Sequence, residues 1–202
     1  MLTDYVLAGV SFVLFRGLVR ASESRATRLW GLAFLAAAAS ALVGGSVHGF
    51  GFAMPRPLEQ ALWVGTVMGV GVLSTSLVAG VVFASVRPGP VRRCLLGLCA
   101  AKLAFYLAWV AYHPQFRYAA YDSLTAGLLV LGFLVRWRGR GGPPEATQGA
   151  LGLGLSIAGA VLQQAGLGIH PVWFNHNDLY HVIQAAALVL IARAGRRLQD
   201  AT

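Results

Sequence analysis

Long apolar blocks separated by short polar connections dominate the chain. Seven can be drawn: Leu2–Val19, Leu29–Phe52, Leu62–Val86, Leu95–Tyr112, Tyr118–Val135, Gln148–Leu167 and Asp178–Ala194. Each approaches or exceeds the roughly 17–25 residues that cross a bilayer as a helix. The pattern predicts an all-α polytopic membrane protein, a single seven-helix transmembrane domain over residues 1–202. Turn-forming residues punctuate it at Pro88-Gly89-Pro90 and at Arg140-Gly141-Gly142-Pro143-Pro144. The small-residue spacings Gly45-x-x-x-Gly49 and Gly65-x-x-x-Gly69 predict close helix packing. No basic leader precedes the first block, which is therefore read as a helix rather than a cleaved signal.

Composition agrees with a membrane solvent: 57% of the 202 residues are hydrophobic and 11% charged, with a mean hydropathy of +0.66. A soluble domain carries about 25% charged residues. The net charge of +9 would suggest a nucleic-acid partner in a soluble protein. Here all but three of the 16 basic residues fall in alternate connections and at the C-terminus. Only Arg56 and Arg117 lie on the opposite side, and Lys102 lies inside a block. The positive-inside rule then puts the C-terminus in the cytoplasm and the N-terminus outside, an arrangement that needs an odd number of spans. That explains the charge without nucleic acid and makes the lipid bilayer the partner. Cys94 and Cys99, five apart in one block, read as small packing residues rather than a disulfide or metal pair.

The candidate chemistry gathers at the outer ends of the blocks. All five histidines (His48, His113, His170, His176 and His181) lie there, with Asp4, Glu59, Asp122 and Asp178. At about 1.5 Å rise per residue, His48, Asp122 and His181 each sit roughly 8–10 Å below the outer boundary. Ionisable groups at that depth are costly and mark functional sites by default. In the stretch Phe174–Gln184, Asn177, Asp178, His181 and Gln184 share one helical face. His48, His181 and either His176 or Asp178 would make a three-ligand zinc site with room for water. Asp122 or Asp178 would bind the metal, orient a histidine or accept a proton. The blander reading of Asn175–Asp178 is a helix cap with an acidic first turn. Gln163, Gln164, Ser40 and Ser74-Thr75-Ser76 are expected to hydrogen-bond between helices, with Gln163 or Gln164 near the outer layer. Lys102, near the midplane, needs a partner, and Asp122 is the nearest acid by depth. A retinal Schiff base is the sharper alternative, but rhodopsins carry that lysine in the last span.

This layout resembles the CREST superfamily of seven-span membrane hydrolases, which includes alkaline ceramidases and the adiponectin and progestin receptor group. The resemblance rests on His48 late in block two, His176 and His181 at the start of block seven, and an acid in the same layer. It implies a zinc ion held by His48, His176 and His181, and hydrolysis of a lipid-like amide or ester near the outer leaflet. The family's serine lies four before the block-two histidine, where this chain has Gly44, with Ser46 and Ser40 nearby. Asp122, Asp178 and Ser46 are then the catalytic candidates. The histidine spacing is five where the family has four, and the family's block-three acid is replaced by Asp122 in block five. Gly44–Phe50, Gln163-Gln164 and Phe174–Gln184 are also similar to uncharacterised bacterial seven-span proteins, which implies an inner-membrane location. A non-enzymatic protein binding a small ligand, metal or haem through the same histidines is the first rival, and a transporter or proton relay the second.

Overall fold

A computed structural model describes residues 2–171 and 173–202. Among them the chain is all-helical, with seven α-helices and no named strand: α1 Leu2–Ala21, α2 Arg25–Phe50, α3 Arg56–Ser85, α4 Pro90–Tyr112, α5 Phe116–Gly139, α6 Pro144–Gln164 and α7 His176–Gly195. A single 3-10 turn, Gly51–Ala53, follows α2. Five helices, α1 to α5, are long and apolar enough to cross a membrane.

The helix ends differ from those of the apolar blocks because a helix ends at a cap, not where hydropathy falls. α3 starts at Arg56, six residues before Leu62, with a proline in its first turn, where the missing N–H costs nothing. α5 continues through Arg136 and Arg138. α6 stops three residues short of Leu167 because Gly166 turns left-handed, with φ +69°. The Gly166 and Leu167 amides bond back to the Gln163 and Leu162 carbonyls, each at 3.0 Å, the pattern that closes a helix at glycine. α7 starts two residues before its block, because Asn175 caps it. Asn175 Oδ1 accepts from the amides of Asn177 and Asp178, and Asp178 Oδ2 accepts from the Asn175 amide. The bland reading of this segment is therefore what Asn175 and Asp178 do locally.

Six helices close a ring: α1 packs on α2, α2 on α3, α3 on α5, α5 on α6, α6 on α7, and α7 on α1. α4 stands outside it and packs on α3. At the end where the C-terminus lies the ring is filled by a buried apolar cluster. Trp30 is fully buried there among Leu18, Phe34, Leu134 and Ile191, and its indole N–H donates to the Leu77 carbonyl at 3.1 Å. A Cβ at Gly195 would stand 2.7 Å from the Trp30 ring, so glycine is what lets α7 approach α2. The C-terminal segment laces this end: Thr27 Oγ1 lies 3.0 Å from both the Gly195 and Leu198 carbonyls and shares its one proton between them, and Asp200 accepts the first amides of α2. The outside is apolar, with Val13, Leu98, Phe105 and Leu129 all exposed.

Packing departs from the sequence expectations at three places. Gly45 and Gly69 do sit at close contacts, against Asp4 and Ser40, whereas a Cβ at Gly65 would meet open space. Of the residues expected to bond between helices, Thr75 does so, accepting from Lys102 of α4 at 3.3 Å, whereas the Ser74 hydroxyl donates to the Val70 carbonyl of its own helix, the usual local competitor. Cys94 is exposed and Cys99 half-buried, both as free thiols, because α4 is packed on one side only.

Candidate functional site

Asp4 in the first turn of α1, His48 in the last turn of α2 and His181 in the second turn of α7 converge at one end of the ring. His48 Nδ1 lies 3.4 Å and His181 Nε2 3.6 Å from the same oxygen, Asp4 Oδ1. The Asp4 and His181 side chains are 5% and 11% exposed, and that of His48 is 43% exposed. The close approach of α1 to α2 depends on Gly45, where a Cβ would stand 2.6 Å from that of Asp4.

A hydrogen-bond chain orients His181. Thr3 Oγ1 donates to Asp178 Oδ1 at 2.6 Å and lies 3.2 Å from His181 Nδ1. A hydroxyl has one proton, and this one is committed to a carboxylate that can only accept. The second contact is then Nδ1–H of His181 donating to Oγ1. A neutral His181 so held carries its lone pair on Nε2, facing Asp4 Oδ1. Two electron-rich atoms facing each other are stabilised by a shared proton or a bound cation.

The cluster sits at the mouth of a cavity of about 450 Å³ lined by the six ring helices and not by α4. Polar groups line its upper part. Gln163 donates to Asn177 at 2.8 Å, and Ser156 donates to Gln184 at 2.6 Å. Ser40, with its hydroxyl buried and unpartnered, lies in the same wall. Deeper, the lining becomes Phe34, Leu77, Leu188 and Ile191. The space therefore has a polar head and an apolar tail.

The residues singled out from the sequence are distributed unevenly around this site. His48 and His181 come together, joined by Asn177, Gln184, Gln163 and Gln164 in the cavity wall. His176, the first residue of α7, does not line the cavity. Asp178 faces Thr3 and the start of its own helix, acting on His181 through a hydroxyl. Ser46 bonds to the Leu42 carbonyl and lies 3.2 Å from the Tyr5 hydroxyl, outside the cavity lining. Asp122 is turned away from the histidines. α5 turns Ala119, Ala120 and Ser123 to the cavity and Asp122 to the other side, where it forms an ion pair with Lys102, the partner expected from depth. His113 stacks on Trp109, and the His170 ring accepts the Trp173 amide at 3.1 Å, both away from the cluster. Asp4 and Thr3 are the residues that sequence reasoning did not select. Asp4 shares the expected layer of the histidines, but its place beside them depends on α1 packing against both α2 and α7.

The donor set of Asp4, His48 and His181, one carboxylate oxygen and two imidazole nitrogens, is of the kind zinc prefers. A tetrahedral ion with bonds of about 2.0–2.1 Å separates its donors by about 3.3 Å, and the two Asp4 edges here are 3.4 and 3.6 Å. Among the described residues no group of three or more His, Cys, Asp or Glu forms a complete metal-holding set as it stands.

The fold and site define a helical protein with five helices suited to a membrane and a polar cluster at the mouth of an internal cavity. The chain belongs to DUF6962, a family of unknown function, which it matches over residues 1–200. Comparison with curated proteins and with solved structures gave no match.

Proposed function

We propose that this protein is a seven-span membrane hydrolase that admits a lipid-like amide or ester to the ring cavity and cleaves it with zinc held by Asp4, His48 and His181. The observation that carries the reading is the joint one: two histidines and a carboxylate meet at the polar head of a cavity whose far end is apolar. An amphiphile fits such a space with its reactive carbonyl at the cluster and its chain among Phe34, Leu77 and Leu188. Zinc, when bound, supplies Lewis acidity to a carbonyl oxygen. The chain's own residues do the rest. Gln163 and Asn177 hold the polar head by hydrogen bonds, and the Thr3–Asp178 pair keeps the Nε2 of His181 turned to the site. Asp4, the acidic side chain among the described lining residues, would supply the anionic ligand of the set. A CREST-like activity agrees with this reading, with Asp4 in place of His176 as third ligand.

α6 and α7 complete the seven spans in this reading. The polar residues that lower their hydropathy, Gln163, Gln164, Asn177, His181 and Gln184, face the cavity and not lipid. The basic residues Arg20, Arg92, Arg138 and Arg196 at the opposite ends of α1, α4, α5 and α7 support a cytoplasmic C-terminus, with the cluster near the outer leaflet.

The test is metal content per chain by elemental analysis of detergent-purified protein, beside His48→Ala, His181→Ala and Asp4→Asn. About one zinc per chain is expected, lost in all three variants, with hydrolysis of long-chain fluorogenic amides or esters lost alongside. Folded protein that binds no zinc, even when zinc is supplied, sinks the hydrolase reading. The second reading is then a non-enzymatic binder of the same amphiphile, favoured by the incomplete metal set. A proton relay is disfavoured because the lining turns apolar below Gln184 and Ser74.

A further inference from the structure

The walls of the ring cavity give it a depth. Fourteen residues separate His48 from Phe34 on α2, Trp63 from Leu77 on α3, and Asn177 from Ile191 on α7, and all six line the space. At about 1.5 Å rise per residue each wall is about 21 Å long. Three helices therefore agree on where the cavity begins and where it stops. Phe34 and Ile191 belong to the buried apolar cluster that also holds Trp30 and Leu18, so the far end is closed.

The upper part is taken by the cluster of Asp4, His48 and His181 and by the Gln163–Asn177 pair. From His181 to Ile191 there remain ten residues of α7, or about 15 Å. Leu73, Leu153, Leu188 and Phe34 line that length, around the small residues Ala37 and Gly127. Polar side chains within it bond to protein: Ser156 donates to Gln184 at 2.6 Å and Ser74 to the Val70 carbonyl at 2.9 Å. Bonds of about 1.5 Å at tetrahedral angles carry an extended alkyl chain forward by about 1.25 Å per carbon, so about 12 carbons reach from His181 to the floor. Volume sets a second limit. About 450 Å³ suits one molecule of ordinary ligand size. A lipid with two such chains has roughly twice as many atoms.

We propose that the ring cavity takes a lipid with one unbranched chain of about 12 carbons, whose length is read by Phe34, Leu77 and Ile191 at the floor. This rests on the reading that an amphiphile enters the ring cavity, and not on zinc or on hydrolysis. Gly127 offers a way to move the floor. It lies eleven residues below Phe116 on α5, and a Cβ there would meet Leu153 Cδ2 at 4.0 Å, an ordinary contact. A larger side chain at this position fills the shaft about 5 Å above its end.

The experiment uses the full chain in phosphatidylcholine nanodiscs and a series of 1-O-alkylglycerols with a diazirine at the chain end. Their ether bond resists hydrolysis, and chains of about 8–20 carbons bracket the expected length. Photolabelling is mapped by peptide mass spectrometry. Labelling around Phe34, Leu77 and Ile191 is expected to peak at about 12 carbons and to fall about tenfold at about four carbons more, where the chain is overpacked. A 1,2-di-O-alkylglycerol with two such chains should not compete. Gly127→Leu, which puts a better helix former in place of glycine, should move the peak about four carbons shorter. Leu77→Ala should move it about two carbons longer, and His48→Ala should leave it in place. A flat length profile, a peak that neither floor variant moves in folded protein, or equal competition by the two-chain lipid overturns the proposal. Protein that binds no zinc but shows the peak loses the hydrolase reading and keeps this one; zinc-dependent hydrolysis without a peak does the reverse.

Discussion

Replacing Thr3 with valine removes one hydroxyl and keeps the shape of the side chain. Among the described residues that hydroxyl bridges Asp178 and the ring of His181, donating to one at 2.6 Å and accepting from the other at 3.2 Å. Its loss takes a charge-assisted bond from Asp178, worth about 1.5–3 kcal/mol, and an acceptor from His181 Nδ1–H. Asp178 keeps its bond to the Asn175 amide, so the helix start survives. The effect falls on His181, whose neutral ring no longer has a reason to carry its proton on Nδ1. Losing such an outer partner weakens metal affinity by about 10–100-fold, or roughly 1.4–2.7 kcal/mol. Zinc affinity measured by chelator competition should therefore weaken by that factor in Thr3→Val and stay near wild type in Thr3→Ser. A readout without metal runs beside it: nitrogen NMR of histidine-labelled protein should show neutral His181 protonated on Nδ1 in the wild type and shifted towards Nε2–H in Thr3→Val. A wild-type His181 already protonated on Nε2 would refute the hydrogen-bond chain itself. An unchanged zinc affinity in a variant whose tautomer had shifted would refute its link to the metal.

Other expectations follow from the packing. Gly152→Leu should abolish a monodisperse folded species in size-exclusion chromatography, because even its Cβ would stand 2.7 Å from the Ala187 carbonyl and 2.9 Å from Leu190 Cβ; Gly154→Leu, two residues on and facing open space, should behave as wild type. Asn175→Ala removes the cap of α7 and should cost about 1 kcal/mol, a fall of about 2–4 °C in a thermal melt, and an unchanged melting temperature would count against the capping box. Glu145, whose own backbone amide and then Arg197 hold its carboxyl below the usual carboxylate range, contributes stability that is present above the ordinary carboxylate pKa and lost as pH falls through its lowered folded value. The pair is solvent-exposed, so Glu145→Gln should shift the acid limb of the stability profile only slightly; a large loss at neutral pH would contradict that.

The division between what was legible in the chain and what was not runs along the helix axis. Helix existence was legible because a long apolar block has few other ways to satisfy its backbone groups in lipid. Boundaries were less so. The Gly166 turn and the Asn175 cap act through single backbone groups that hydropathy does not register. The pairing of Lys102 with Asp122 was legible from depth and from the short α4–α5 connection. Asp122 could serve either that lysine or the histidine layer, and which of the two depended on the rotation of α5.

Depth along a helix is written in the sequence, at a fixed rise per residue, and with it the layer in which Asp4, His48 and His181 all lie. Azimuth and neighbour are not, because they depend on which helices pack side by side and how each is turned. Closure of the ring by α1 against α7, and the close approach at Gly45, brought Asp4 to two histidines more than forty residues away in the chain. The same closure left α4 outside, opened a groove over Lys102, and turned Asp178 from the site to Thr3. Those outcomes are long-range contacts between side chains on different helices, which no local pattern encodes.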